Sequence, residues 1–288
     1  MSSDPAAERG TDGPPEGLYR YDRTANKRVA TVDDVAEEEL GFFQEHGYLV
    51  VEEFLDEREI EAAVDGMLSL LADRPDPDLP DDVIQFADAL DEEVEDPTAV
   101  PPSVAQDYVR KFWRFSEHSE GMYAPAERDD LGGLLSELVG GDPDCFQEMA
   151  LVKPPDRGGE KPWHQDKAYF DVSLDAPVVG VWIALDEASA ENGCMHVIPG
   201  SHRDGPVVHF DRRDWQICDT DVQVDEDVMV PLEPGGALLF DGLIHHGTPP
   251  NRSSNRRRAL QFHFTAADAE WVNDGHPEFD SEGRDIEC

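Results

Sequence analysis

The stretch Trp163-His164-Gln165-Asp166-Lys167-Ala168-Tyr169-Phe170, residues 163–170, decides how the rest of the chain is read. Its texture predicts a short strand, in which side chains alternate faces, so His164 and Asp166 project to one side. Similar short apolar runs flank it at Met149–Val152, Val178–Leu185, Cys194–Ile198, Val228–Leu232, Ala237–Phe240 and Leu260–Phe264. Gly, Pro, Asn and Asp punctuate them at the intervals of an all-β barrel or sandwich. Upstream the pattern is helical. A helix carrying Leu40, Phe42 and Phe43 should stop at Gly47, and Tyr48–Val51 should be a strand. Asp56 should open a second helix with Ile60, Ala63, Met67, Leu70 and Leu71 at three- and four-residue steps. A third helix is predicted over 126–140, after an Asp- and Pro-rich loop at 74–104. Helices first and strands after give an α+β class, mainly β, with helices buttressing a β core. The expected organisation is a mobile tail over 1–30 and one domain over 31–288. Within that domain a helical lead-in over about 31–142 precedes a β core over about 145–267.

Charge excludes several roles. Lys and Arg number 23 against 65 Asp and Glu, a formal net charge of −42. Such a surface repels nucleic acid and anionic membranes. No apolar run is long enough to span a bilayer, and the N-terminus lacks the basic and apolar regions of a secretory signal, so a cytoplasmic protein is expected. The cations are 18 Arg and only 5 Lys, a composition of halophilic style, because molar salt screens the self-repulsion. Cys145, Cys194, Cys218 and Cys288 form no CxxC pair and are expected to be free thiols.

His164 and Asp166 supply an imidazole and a carboxylate for a divalent metal. A lone His-x-Asp is common by chance, so its company decides. A third ligand is available from Ile244-His245-His246-Gly247, where either imidazole is a candidate. Two His and one carboxylate leave open positions, the facial arrangement of non-haem Fe(II) oxygenases. Arg257 lies eleven residues past His246, and the hydroxyl of Thr248 stands between them. An Arg fork suits a carboxylate, as a 2-oxo acid co-substrate requires.

Further stretches make the resemblance specific. They are Lys153-Pro154-Pro155-Asp156, His164-Gln165-Asp166 with Tyr169-Phe170, Gly180-Val181-Trp182, Asn192-Gly193-Cys194, Ile198-Pro199-Gly200-Ser201-His202, and the run from His246 to Phe264. Together, and in order over roughly 40–270, they resemble the phytanoyl-CoA dioxygenase family of Fe(II)/2-oxoglutarate oxygenases. The resemblance implies a double-stranded β-helix, a cupin-like jelly roll with helices on one sheet. It implies His164, Asp166 and His246 as iron ligands, with Fe(II), 2-oxoglutarate and O2 as cofactor and co-substrates. Arg257 would hold the distal carboxylate of 2-oxoglutarate, assisted by Thr248 where Ser is usual in the family. Trp182, Met149 and Lys111 would complete the co-substrate pocket. Register to Asn251 and Arg257 favours His246 over His245. Because Asp166 is kept, where family halogenases have a small residue, hydroxylation of a small-molecule substrate is expected. An acyl-CoA such as phytanoyl-CoA is one candidate. A cupin-like metalloenzyme without 2-oxoglutarate and a non-catalytic metal-binding module are the rival readings. His196 and His202 are expected to be structural, and Trp163 and Tyr169 are candidates for the substrate mouth, beside the core role that most aromatics at strand spacing have. Oligomeric state is not legible.

Overall fold

The computed structural model describes residues 13–74, 79–87, 94, 96–273, 275–281 and 288. Among them are five α-helices: α1 (Glu37–His46), α2 (Glu57–Asp73), the single turns α3 (Pro102–Ala105) and α4 (Glu120–Tyr123), and α5 (Asp129–Val139). The strands are β1 (Arg28–Val29), β2 (Tyr48–Val51), β3 (Ile84–Phe86), β4 (Val109–Trp113), β5 (Pro143–Lys153), β6 (Lys161–His164) and β7 (Val179–Ala184). They continue as β8 (Met195–Val197), β9 (His209–Asp211), β10 (Trp215–Ile217), β11 (Val228–Val230), β12 (Ala237–Asp241), β13 (His246–Thr248) and β14 (Arg257–Ala266).

Local chemistry accounts for the helix limits. The Asp56 carboxylate accepts the N–H groups of Arg58 and Glu59 at 2.8 and 2.9 Å, while Glu59 accepts the Asp56 N–H at 2.8 Å. This reciprocal cap, worth about 1 kcal/mol, starts α2 where the pattern predicts it. Gly47 and Gly140 end α1 and α5 in the left-handed conformation. Gly47 also leaves no Cβ where the His202 ring packs, and His202 Nε2 donates to the Gln44 carbonyl at 3.2 Å.

Alternation along the strands sorts side chains into two cores. On one face of the large sheet, Leu49, Val181, Leu239, Leu260 and Phe262 pack against Met67, Leu71, Leu131 and Leu135 of the helices. On the other face, Trp182, Leu238 and Ala259 pack against Met195, Val197 and Val230 of a smaller sheet. The layers are therefore helices, large sheet, small sheet, and the chemistry lies between the sheets.

The expected closed jelly roll is corrected. The large sheet has eight strands in the order β1-β2-β12-β7-β14-β5-β4-β3, and the small one has four, β11-β8-β13-β6. No ladder among the described residues closes them into a barrel, so the class is α+β with open sheets. The physical reason is that connecting segments leave the extended conformation. The predicted strand Trp163–Phe170 ends at His164, and Asp166–Tyr169 is a 3-10 turn. Strands β8, β11 and β13 are three residues each, too short to bridge both sheets.

Two other expectations change. Part of the predicted loop is β3, paired with β4; its residues 75–78, 88–93 and 95 lie outside the described residues. Cys218 and Cys288 are joined in a disulfide, with Cα atoms 5.4 Å apart, leaving Cys145 and Cys194 as thiols among the described residues. Seventy residues separate the pair in sequence, so spacing alone did not suggest it. Of the expected tail over 1–30, residues 1–12 lie outside the described residues, while Leu18 and Tyr19 are buried and Tyr19 stacks on Trp163 at 5.4 Å.

Many surface cations are committed to carboxylates, as in Arg20–Asp22, Arg128–Asp130 and Arg213–Asp219. The remaining acidic excess is uncompensated. The thermal midpoint is accordingly expected to climb steadily from dilute buffer to molar KCl, as the Debye length contracts to about 3 Å. A midpoint that stays flat across that series would remove the screening argument.

Candidate metal centre

His164 closes β6, Asp166 opens the 3-10 turn after it, and His246 opens β13. Antiparallel pairing of β6 with β13 sets His246 directly opposite His164, with ring centroids 4.2 Å apart. His164 Nε2 is 3.2 Å from Asp166 Oδ1, and His246 Nε2 is 3.5 Å from Asp166 Oδ2. All three residues are buried, and their ligand atoms lie within 4.8 Å of one another. Strand alternation accounts only in part for the approach of His164 and Asp166, since the backbone leaves the strand between them.

The outer nitrogens are also arranged. His164 Nδ1 lies 2.7 Å from the Pro162 carbonyl and His246 Nδ1 lies 3.1 Å from the Ile244 carbonyl. A carbonyl only accepts, so each Nδ1 carries the proton and each Nε2 presents a lone pair toward Asp166. Burial pushes the His164 imidazole down to about 4, and the His246 ring adds to this, so His164 is neutral at pH 7. Burial by itself would raise the Asp166 carboxyl, but the rings of His246, His263 and His164 outweigh it and hold the group well below the usual range. Neutral His164 and the Asp166 carboxylate, with the lone pair of His246, form a donor set suited to a divalent metal. His245 faces elsewhere: both its ring nitrogens are buried without a partner, and its N–H donates to Ser201 Oγ at 2.8 Å.

Arg257 begins β14 opposite Lys153 and is buried, its guanidinium carbon 5.1 Å from the Trp182 ring centre. Its Nε and Nη1, and Trp182 Nε1, are buried donors with no partner among the described residues. Burial lowers its pKa to about 10, so it stays cationic at neutral pH. The flanking arginines turn outward: Arg256 pairs with Asp107 at 2.5 and 2.7 Å, and Arg258 with Asp186 at 2.7 and 2.8 Å. Thr248 is buried two positions past His246. Trp182 and Met149 stand on either side of Gln261 in one cross-strand row. Lys111 is farther off, on β4, two strands from β14, with its ammonium 4.1 Å above the Trp113 ring. Burial lowers Lys111 to about 8, with Arg110 and Lys161 adding to it.

The sequence reading missed three contributors. His263 Nε2 and Gln261 Nε2 lie 2.7 and 3.1 Å from Asp166 Oδ2. Their signal was present: 257, 259, 261 and 263 share one face of β14 by strand alternation. The third, Lys153, is buried and donates to the carbonyls of Gly159, Thr248 and Pro249, tying the β13 exit to β5. His196 pairs with Asp227 at 3.0 Å in a fully buried position, a structural role. Trp163 is buried, whereas Tyr169 is 42% exposed with its ring 5.8 Å from that of His164.

Residues 43–259 match the family model for phytanoyl-CoA dioxygenase (PhyH). The chain belongs to the PhyH family, within the Fe(II)/2-oxoglutarate oxygenases. Phytanoyl-CoA dioxygenase domain-containing protein 1 of Danio rerio is 35% identical over 136 residues, covering 44% of this chain and 46% of the relative. The peroxisomal phytanoyl-CoA dioxygenase of Bos taurus is 30% identical over 141 residues, covering 45% of this chain and 41% of that one. The matched segments thus span about half the length of these relatives. EvdO2 from Micromonospora carbonacea var. aurantiaca, solved with 2-oxoglutarate, is 26% identical with a TM-score of 0.58, covering 85% of this chain and 96% of its own. EctD from S. alaskensis shares the fold at a TM-score of 0.67 and 20% identity, covering 89% of each chain.

Family and triad together support an oxygenase-type activity at a metal site. The cytoplasmic expectation is corrected, because the bovine and human relatives are named as peroxisomal proteins. Charge and apolar runs do not distinguish such compartments, since receptor-read addresses are short segments independent of the fold. No helix among the described residues is long and apolar enough to cross a membrane.

Proposed function

We propose that this chain is an Fe(II)- and 2-oxoglutarate-dependent dioxygenase that hydroxylates a C–H bond of a small organic substrate, releasing succinate and CO2. The observation that carries the reading is the set of unpartnered buried donors on Arg257 and Trp182, on the sheet face that also bears the Asp166 partners. A buried guanidinium without a carboxylate is costly unless an anion completes it. The donor set of His164, Asp166 and His246 fits Fe(II), and these donors fit a dicarboxylate.

Iron, when bound here, supplies dioxygen activation coupled to decarboxylation of the 2-oxo acid. The chain's own residues hold and orient. Arg257 takes the distal carboxylate as a planar fork, and the Thr248 hydroxyl adds a hydrogen bond. Trp182 and Met149 wall the pocket and exclude water, and Lys111 adds positive charge from β4. Residues 31–288 act as one catalytic unit in this reading.

Similarity to phytanoyl-CoA dioxygenases makes an acyl-CoA ester a substrate to test beside free acids and zwitterions. The assay is succinate release by anaerobically iron-loaded protein exposed to air. Succinate should require Fe(II), 2-oxoglutarate and O2 together, and rise with one class of the panel. Iron uptake with no succinate under any condition would leave a metalloprotein of another chemistry.

A further inference from the structure

The Asp166 carboxylate is held asymmetrically. Its Oδ1 faces His164 Nε2 at 3.2 Å, and its Oδ2 lies farther, 3.5 Å, from His246 Nε2. Its Oδ2 takes His263 Nε2 at 2.7 Å and Gln261 Nε2 at 3.1 Å. An ionised carboxylate only accepts, so the His263 proton sits on Nε2 and the imidazole donates. The ring has little freedom. It is buried, meets Phe170 edge-on at 4.8 Å, and lies 6.2 Å from both Phe146 and Phe240. Phe240 in turn packs on His246 at 4.8 Å, in space open only because residue 180 is glycine: a Cβ there would meet the Phe240 ring at 2.3 Å.

A carboxylate with both oxygens free can chelate a metal through both, filling one more coordination position. Three single-point protein ligands, a bidentate 2-oxo acid and O2 already make six, so that extra position has to be withheld. We propose that His263 is a positioning residue which, with Gln261, engages Asp166 Oδ2 and leaves Oδ1 alone for the metal. The inference rests on the triad being a metal site. It assigns to β14 a second task besides carrying Arg257, performed from the same face six residues on.

The test uses Co(II) as a spectroscopic probe of the metal-free full chain, with wild type and His246→Ala as references. Wild type should bind Co(II), and His246→Ala should lose it. His263→Phe, which keeps bulk but removes the donor, should weaken binding about 10- to 100-fold, the usual effect of losing an outer partner of a ligand. Its visible spectrum should also shift as Oδ2 joins the coordination sphere. His263→Gln restores an N–H donor and should return both affinity and spectrum close to wild type. Unchanged Co(II) binding in a folded His263→Phe protein overturns the proposal, as does equal weakening by Gln and Phe. Loss as complete as in His246→Ala would make His263 a ligand instead, which also overturns it. Should His263→Phe not fold, Gln261→Leu carries the test: a smaller loss with the same spectral shift supports the idea, and an unaltered spectrum defeats it. Failure of wild type to take up Co(II) would strike the metal site itself, a separate result.

Discussion

Alanine at His164, Asp166 or His246 is expected to abolish 2-oxoglutarate turnover while leaving the thermal midpoint near that of wild type. Each substitution removes one donor from a set whose ligand atoms lie within 4.8 Å, and two remaining donors hold a divalent ion poorly. The fold should tolerate the changes because the two cores are built from other residues. His245→Ala is the internal control. Its ring makes no hydrogen bond among the described residues and stands outside the ligand cluster, so the variant should retain most turnover. The measurement is succinate formed per protein at saturating Fe(II) and 2-oxoglutarate. Loss in His245→Ala with retention in His246→Ala would reverse the ligand assignment.

The second large effect concerns Arg257. Its buried guanidinium has no carboxylate partner among the described residues, unlike Arg256 and Arg258 on either side. If it holds the distal carboxylate of 2-oxoglutarate, truncation removes one partner of a charge-assisted pair from a dry pocket. Such losses run about 2–5 kcal/mol, or roughly 30- to several-thousand-fold in affinity. Arg257→Ala should therefore raise the apparent KM for 2-oxoglutarate by at least that lower factor. Arg257→Lys should recover only part, because a point charge does not reproduce the planar fork. Arg256→Ala and Arg258→Ala break pairs with Asp107 and Asp186 on the outer side and should leave KM little changed at fixed salt. An unchanged KM in Arg257→Ala would falsify the clamp.

Much of the site is written in local pattern. Residue type and period two single out His164, Asp166 and Arg257 from a strand texture, and the family resemblance separates His246 from His245. The helix limits are equally local, because Asp56, Gly47 and Gly140 act through their own backbone neighbours. Alternation also held the information for Gln261 and His263, two and three strand repeats on from Arg257. It was silent on what they face, since that depends on Asp166, nearly a hundred residues away in sequence.

What the chain alone determined is thus the α+β class, the buried faces and the residue types of the site. Tertiary structure decided the rest. Burial patterns state which side of a strand is covered but not which strand is its hydrogen-bonded neighbour, so open sheets and a closed jelly roll look alike in sequence. The disulfide between Cys218 and Cys288 depends on a distance that a sequence separation of 70 leaves free. The asymmetric hold on Asp166 exists only because β6 breaks into a 3-10 turn beneath β14, bringing one carboxylate between imidazoles from three separate strands. Such convergence is a property of packing, and no local pattern in the chain encodes it.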